Sequence, residues 1–342
     1  MVKWHEHAEV DTSVIISSRV RLARNIAAYP FPARLGVAEA ATAIEEMRTA
    51  VFKSKVAEDD LIFCDLSQLT TDRLKELGER RVISYAMVNK TTLRGLIYND
   101  EEYISILLNE EDHLRIQTVF PGHGLDEAYD AAANLDDIIA QSLEYAFDME
   151  FGFLTSCPTN TGTGMRASYM LHIPLLESTG TLKSYADLIT KAGFAIRGTH
   201  GEGSETMGAI YQISNQITLG RSEEETISAL KHLANQIVEK EFSLRHRVLN
   251  DYLHETQDSV HRAYGILTNC RKIGINEAMR LLSDIRLGNI LGLLDCRAQG
   301  GTIYNLMTNI LPYSLQKIMG RSAKDNRQLD VLRAEYLRSS IS

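Results

Sequence analysis

The chain has 342 residues, 44% hydrophobic and 24% charged, the balance of a globular protein with a real core and room for a large domain plus a smaller one. Lys and Arg number 36 against 45 Asp and Glu, a formal net charge of −9. That balance argues against the broad basic face needed to hold nucleic acid or an anionic membrane surface, leaves room for a local nest of arginines, and suits a cationic substrate.

The N-terminus, MVKWHEHAEV, lacks the apolar core of a signal peptide. No run approaches the roughly 18 apolar residues of a membrane span. Cys64, Cys157, Cys270 and Cys296 lie far apart with no CxxC pair, which points to neither a zinc site nor a disulfide framework. His5 and His7 read as a frayed terminus rather than metal ligands. A cytoplasmic location is the expectation.

In chain order, 37–53 reads as a helix, and β-like runs follow at 82–88, 93–98, 102–109 and 113–120. Positions 125–147 form a stronger helical pattern, with Leu125, Ala128, Ala132, Leu135, Ile138 and Ile139 at helical spacing. Further strands are predicted at 151–155, 168–176, 194–197 and 209–219. Several strands succeed one another without room for a crossover helix, which predicts an α+β fold: an antiparallel sheet flanked by helices. From 222 the texture is helical (222–249, 251–268, 276–287, 302–319 and 325–338). The expected domains are therefore a catalytic domain at 1–245 and a helical C-terminal domain at 246–342.

The familiar nucleotide loops are missing. No glycine precedes a lysine, so there is no Walker A loop, and neither HRD nor DFG occurs. Gly162-Thr-Gly164-Met-Arg-Ala167 matches a dinucleotide fingerprint, with Asp187 about 20 residues on. The internal Arg166, the preceding Pro158-Thr159-Asn160 and the absence of a parallel βαβ context fit that turn poorly.

Four segments crowd polar residues at the ends of apolar runs. Ser17-Ser18-Arg19-Val20-Arg21 places Arg19 and Arg21 on one face of an extended segment, with Arg24 close behind. Asn109-Glu110-Glu111-Asp112-His113-Leu114-Arg115 puts three acids between two strands, a site or a solvated hairpin turn. Cys157-Pro158-Thr159-Asn160-Thr161-Gly162-Thr163-Gly164-Met165-Arg166 lets backbone amides approach an anion beside a fixed positive charge. Arg197-Gly198-Thr199-His200-Gly201-Glu202-Gly203-Ser204-Glu205 interleaves glycines and acids. Together they offer five arginines suited to polyphosphate, whose oxygens the guanidinium fork bonds bidentately, and two glutamates suited to a cationic nucleophile.

SSRVRLARN, NEEDHLR, CPTNTGTGMRAS and RGTHGEGSE, in that order, resemble the signature segments of the guanidino (phosphagen) kinases over roughly residues 14–220. The resemblance implies their glutamine-synthetase-like catalytic fold and the use of ATP with Mg²⁺. It implies that Arg19, Arg21, Arg115, Arg166 and Arg197 hold ATP phosphates. It makes Glu111 and Glu202 the guanidinium-binding carboxylates, puts Cys157 beside the guanidinium, and gives Asn109 and Gly201 to the substrate loops. The sequence offers no dedicated protein cage for the metal, and Mg²⁺ often needs only phosphates and water. The stretch Gly198–Gly203 is expected to close over the reactants.

Metabolite kinases of that family carry a helical domain before the SSRVR-like motif, whereas here the motif begins at Ser17. FLTSCPTN, QISNQITLG, AYGILTNCR and LLSDIRLG resemble the branch that phosphorylates arginine side chains of proteins. That branch implies protein substrates with exposed arginine, among them a stress-gene repressor, together with an activator protein, a Clp protease and a homodimer. The rival readings are a kinase of free arginine or another small guanidino compound, and a catalytically silent regulatory module. The branch also carries RDxxRA near its C-terminus, a phosphoarginine-binding signal. Here Leu329 replaces its first arginine, leaving Asp330 and Arg333 as the candidate regulatory residues.

Overall fold

The computed structural model describes residues 2–7, 9–53, 61–90, 92–200, 206–299 and 301–341. Its strands are β1 (Ile15–Arg24), β2 (Ile62–Asp65), β3 (Gly95–Tyr98), β4 (Ile104–Leu108), β5 (Leu114–Pro121), β6 (Phe147–Asp148), β7 (Gly152–Phe153), β8 (Met165–His172), β9 (Phe194–His200) and β10 (Thr206–Asn215). Eight form one sheet in the order β2-β3-β4-β5-β1-β8-β10-β9, and β6 and β7 pair as a separate hairpin. The β2–β3, β3–β4 and β4–β5 pairings are antiparallel, with Ile106 opposite Ile116 and Leu107 opposite Arg115 in the last of these.

Backbone proximity divides the chain into two compact units. The first comprises Met1–Trp4, Ser18–Ser168 and Ser214–Lys231. Its helices include α1 (Val37–Phe52), α2 (Thr71–Glu79), α3 (Tyr85–Asn89) and α4 (Leu125–Ala140). The apolar stripe predicted from 125 is the buried face of α4, with Leu125, Ala128, Ala132 and Ile139 at or near zero exposure. Arg24 anchors this helix: its Nε and Nη2 donate to Asp136 Oδ2 at 2.9 and 2.7 Å.

The second unit comprises His5–Ser17, Tyr169–Ile213 and His232–Ser342. It contains α5 (Pro174–Ser178), α6 (Thr181–Lys191), most of α7 (Glu223–Asp251), α8 (Leu253–Asn269), α9 (Ile275–Ile290), α10 (Ile303–Asn309), α11 (Pro312–Met319) and α12 (Asn326–Ser340). Its interior holds a polar knot: His172 accepts from or donates to Ser283 Oγ (2.7 Å) and meets Arg286 Nη1 (2.6 Å). Burial drives the imidazole well below its ordinary pKa, so it stays neutral there.

Several expectations require correction. The run 82–88 is not a strand; Ser84 accepts from Met87 N and caps α3, and Val82, Ile83 and Met87 join a cluster with Leu66, Leu74, Leu77, Leu96 and Leu107. A short apolar run carries no period that separates helix from strand. The helix predicted to 147 ends at Ala140, and the strand predicted to 176 ends at His172, before Pro174 opens α5. The predicted helix 302–319 is two, because Pro312 has no N–H to continue the first.

Candidate active site

Three neighbouring strands bring the arginines together. In β1, Val20 and Leu22 are buried while Arg19 and Arg21 remain half-buried on the opposite face, as strand alternation requires. Arg115 of β5 and Arg166 of β8 flank them, because β1 lies between those two strands. Burial, then the charges of Arg19, Arg115 and Arg166, hold the Arg21 guanidinium well below its ordinary pKa, and the Glu110 carboxylate opposes them. The Nε atoms of Arg21 and Arg115 are buried with no hydrogen-bond partner. Clustered guanidinium groups with buried unpaired donors are costly alone and become favourable around an anion. Arg166 reaches Ser214 Oγ from Nε and Nη2 at 3.4 and 3.3 Å.

The three consecutive acids divide their work. Asn109 sits at φ 56, a left-handed conformation asparagine tolerates, with its N–H on His113 O at 2.8 Å. Glu110 turns inward onto Arg115 Nη1 and also accepts from Ser84 Oγ. Lys90 Nζ donates to the carbonyls of Asn109 (2.6 Å) and Glu110. Asp112 is buried, and its Oδ1 accepts from Asn25 Nδ2 and Ser156 N, both at 2.7 Å. Asn25 completes the clamp by donating to Leu154 O and accepting from His113 N, both at 3.0 Å. His113 Nδ1 accepts from Ile26 N, and burial pushes its pKa down to about 4. Only Glu111 faces out. Its carboxyl is held above the usual range by partial desolvation first, then by Asp112 and Glu110, with Arg115 opposing. The segment is therefore no solvated hairpin turn.

Cys157 follows directly from that clamp, because Ser156 Oγ donates to Glu111 O at 2.8 Å. The thiol is half-buried, its Sγ 3.0 Å from Thr159 Oγ1. Gly162 has φ +116, and a Cβ there would meet Thr218 O at 2.2 Å. The run Gly162–Ala167 leads into strand β8 rather than a helix, so its glycines serve close backbone packing and not a dinucleotide turn.

The sequence-predicted residues thus separate into groups. Arg19, Arg21, Arg115, Arg166, Asn109, Glu111 and Cys157 all lie in the first unit, the arginines mutually close and Glu111 tied to the Cys157 loop. Arg197 is exposed on β9 in the second unit. Gly201 and Glu202 lie outside the described residues. Arg333 is buried, with Nη1 on Asp330 Oδ1 (2.8 Å) and Ile273 O (2.9 Å) and Nε on Ile310 O (3.2 Å). Among the described residues, no three His, Cys, Asp or Glu side chains group as metal ligands. Sequence reasoning missed Glu110, Lys90 and the Asn25–Asp112–Ser156 clamp. Three adjacent acids ahead of an arginine are the only local sign of them.

Residues 42–244 match the model of the ATP:guanido phosphotransferase C-terminal catalytic domain, and 254–342 match the protein-arginine kinase McsB C-terminal domain. The chain is 41% identical over 342 residues to the protein-arginine kinase of Desulforamulus reducens, covering 99% of this chain and 95% of the relative. It is 36% identical over 341 residues to that of Clostridium acetobutylicum, covering 100% of each. Among solved structures it resembles the duplicated taurocyamine kinase of Schistosoma mansoni with bound transition-state-analogue components. That match has a TM-score of 0.61 and 28% identity, over 71% of this chain and 35% of the other. The fold also matches a lombricine kinase at TM-score 0.60 and 24% identity, over 71% of this chain and 69% of the other.

Proposed function

The chain belongs to the ATP:guanido phosphotransferase family, and from that premise we propose that it transfers the γ-phosphate of ATP to the guanidinium of arginine residues in proteins. The observation that carries the site assignment is the arginine cluster. Arg21 is held among Arg19, Arg115 and Arg166, and two guanidinium Nε atoms are buried without partners. Such a cradle fits the polyphosphate of ATP, with Mg²⁺ entering on the nucleotide and keeping phosphate and water ligands.

In the proposed reaction a terminal guanidinium nitrogen attacks the γ-phosphorus. The N–P bond forms, the P–O bond to ADP breaks, and one guanidinium proton leaves. Ordinary guanidinium has a pKa above about 12, so a base within reach must share that proton. Glu111 is offered for this: it is exposed, held by the Asp112 and Ser156 contacts, and more basic than a free carboxylate. The arginines stabilise the charge spread over the transferring group. Cys157 would border the guanidinium, and Asn109 sets the turn from which Glu111 projects. The roles of Arg197 as a phosphate ligand and of Glu202 and Gly201 on the guanidinium side rest on the RGTHGEGSE resemblance alone.

On the same reading, 1–245 is the catalytic domain, and 246–342 is a dimerisation or regulatory domain with Asp330 and Arg333 as its phosphoarginine candidates. An activator, a Clp protease and a stress-gene repressor are the proposed partners, in the cytoplasm. No described helix is long and apolar enough to cross a membrane.

The test is incubation with Mg-ATP and an arginine-rich protein, with free arginine in parallel, followed by mass spectrometry without acid. Phosphate on protein arginine alone supports the proposal. Phosphate on free arginine alone keeps the mechanism and replaces the substrate.

A further inference from the structure

Beside the Cys157 loop lies apolar surface to which the proposed phosphoryl transfer assigns no role. The β6–β7 hairpin exposes Phe147, Met149 and Phe151 at 53%, 93% and 46%. Its base is fixed. The Arg24 guanidinium lies 3.6 Å from the Phe153 ring centre, and Phe147 and Tyr145 meet that ring edge-on. Asp148 Oδ1 accepts from Glu150 N and Phe151 N at 2.8 and 3.0 Å, so the tip holds a defined turn that presents Met149 outward.

Phe153 pairs with Gly162 in both directions, its N–H donating at 2.8 Å and its carbonyl accepting at 3.3 Å. Also packed against Gly162 is the segment around Thr218, where Ile217 and Leu219 are 43% and 49% exposed. The Thr218 hydroxyl donates to Thr159 O and Thr161 O at 2.9 and 2.7 Å. Two exposed apolar groups thus border one loop, each on a backbone neighbour of Gly162, and β7 runs through Leu154, Thr155 and Ser156 into Cys157. Grouped apolar exposure of this kind marks an interaction surface. The charged residues of the tip, Asp148 and Glu150, are both acidic, and Glu111 is exposed on the loop clamped to Ser156. That charge suits a cationic occupant.

We infer that this apolar collar seats the hydrophobic side chains flanking a target arginine in an extended segment of a substrate protein. The inference rests on the protein-arginine reading and adds a preference to it: arginines next to apolar residues, such as unfolded segments expose, are taken ahead of arginines in polar surroundings.

The test compares two labelled peptides, one with leucine and phenylalanine around a central arginine and one with serines there. Binding is read by fluorescence anisotropy and turnover with Mg-ATP. The wild-type chain should bind the apolar peptide about tenfold more tightly, the scale of burying one or two side chains. Met149→Ser/Phe151→Ser should reduce that preference to less than about twofold, raise KM for the apolar peptide and leave the KM for ATP unchanged. Ile217→Ser should act in the same direction from the Thr218 segment.

Equal wild-type affinity for both peptides would overturn the inference. So would an equal loss on both peptides in the variants, an altered KM for ATP, which would assign the surface to the base of the nucleotide, or a change in oligomeric mass, which would assign it to a second copy. Preferential binding with no phosphate transferred to either peptide would sustain the docking surface and sink the kinase reading.

Discussion

Both carboxylate oxygens of Glu110 accept from a single nitrogen of Arg115, Nη1, at 2.6 and 2.7 Å. The same carboxylate counters the charges crowding Arg21. Glu110 is therefore a counter-ion within the arginine cluster. Glu110→Gln should cost about 3 kcal/mol of unfolding free energy, the low end for a broken buried pair because Arg115 is partly exposed. Denaturant titration should show that sulfate or ATP restores most of the loss, since an anion replaces the missing charge. An equal loss with and without sulfate would reduce Glu110 to a packing residue.

Arg21 carries the opposite cost. Its guanidinium is crowded by three like charges, and its Nε is buried without a partner. Arg21→Met removes the repulsion and keeps the aliphatic stem, so the nucleotide-free protein should gain about 1 kcal/mol, a rise in Tm of a few degrees. ATP affinity, measured by calorimetry, should fall at least about tenfold. Arg21→Lys should fall between the two, because the charge survives and the bidentate fork does not. A variant that loses stability while keeping ATP would show that the arginine packs rather than binds.

The role proposed for Glu111 predicts a split between chemistry and binding. Glu111→Gln should lower kcat by about 10²-fold or more and leave the dissociation constant of ATP within about twofold. The carboxyl is raised above its ordinary value by desolvation and by Asp112 and Glu110. A base must be deprotonated to act, so kcat/KM should fall as pH drops through that raised pKa. The acid limb should therefore lie above the pH of about 4.3 expected of an unperturbed glutamate. A limb at or below that value would argue that Glu111 only positions the guanidinium.

In the sequence, RxR in an extended run puts the Arg19 and Arg21 side chains on one face, and the strand shows that alternation; the phosphate roles of the five arginines come from the family resemblance. What sequence did not reveal was which acid does what. Glu110, Glu111 and Asp112 are chemically near-equivalent in a row. Only the clamp from Asn25 and Ser156, residues far off in the chain, turns Asp112 inward and leaves Glu111 out. The helical tail was legible from its period, except where Pro312 divides it. Helix α2, capped by Thr70, is hard to read in sequence because its buried residues are Leu74, Glu76, Leu77, Gly78 and Glu79, and the charged ones among them hide the apolar stripe. Helix α3 reads as a strand in the sequence because the seven mostly apolar residues 82–88 fit either period.

Gly162 links fold to site most directly, and its replacement should separate backbone strain from steric exclusion. Gly162→Ala places a methyl 2.2 Å from Thr218 O at φ +116, so the segment carrying Thr218, just past β10, or the loop carrying Cys157 has to shift. The expected cost is about 3 kcal/mol, the sum of an unfavourable backbone conformation and overpacking. Gly220, at φ +79 with nothing within 4 Å of an added Cβ, supplies the control. Gly220→Ala should cost only the conformational part, about 1 kcal/mol. Because the Thr218 hydroxyl bonds to Thr159 O and Thr161 O, displacement at Gly162 reaches the turn after Cys157. Turnover should therefore fall in Gly162→Ala beyond what the fraction folded explains, while Gly220→Ala keeps wild-type kcat. Equal stability losses in the two variants would mean that the loop yields freely to the methyl group and that close packing does not hold Cys157 in place.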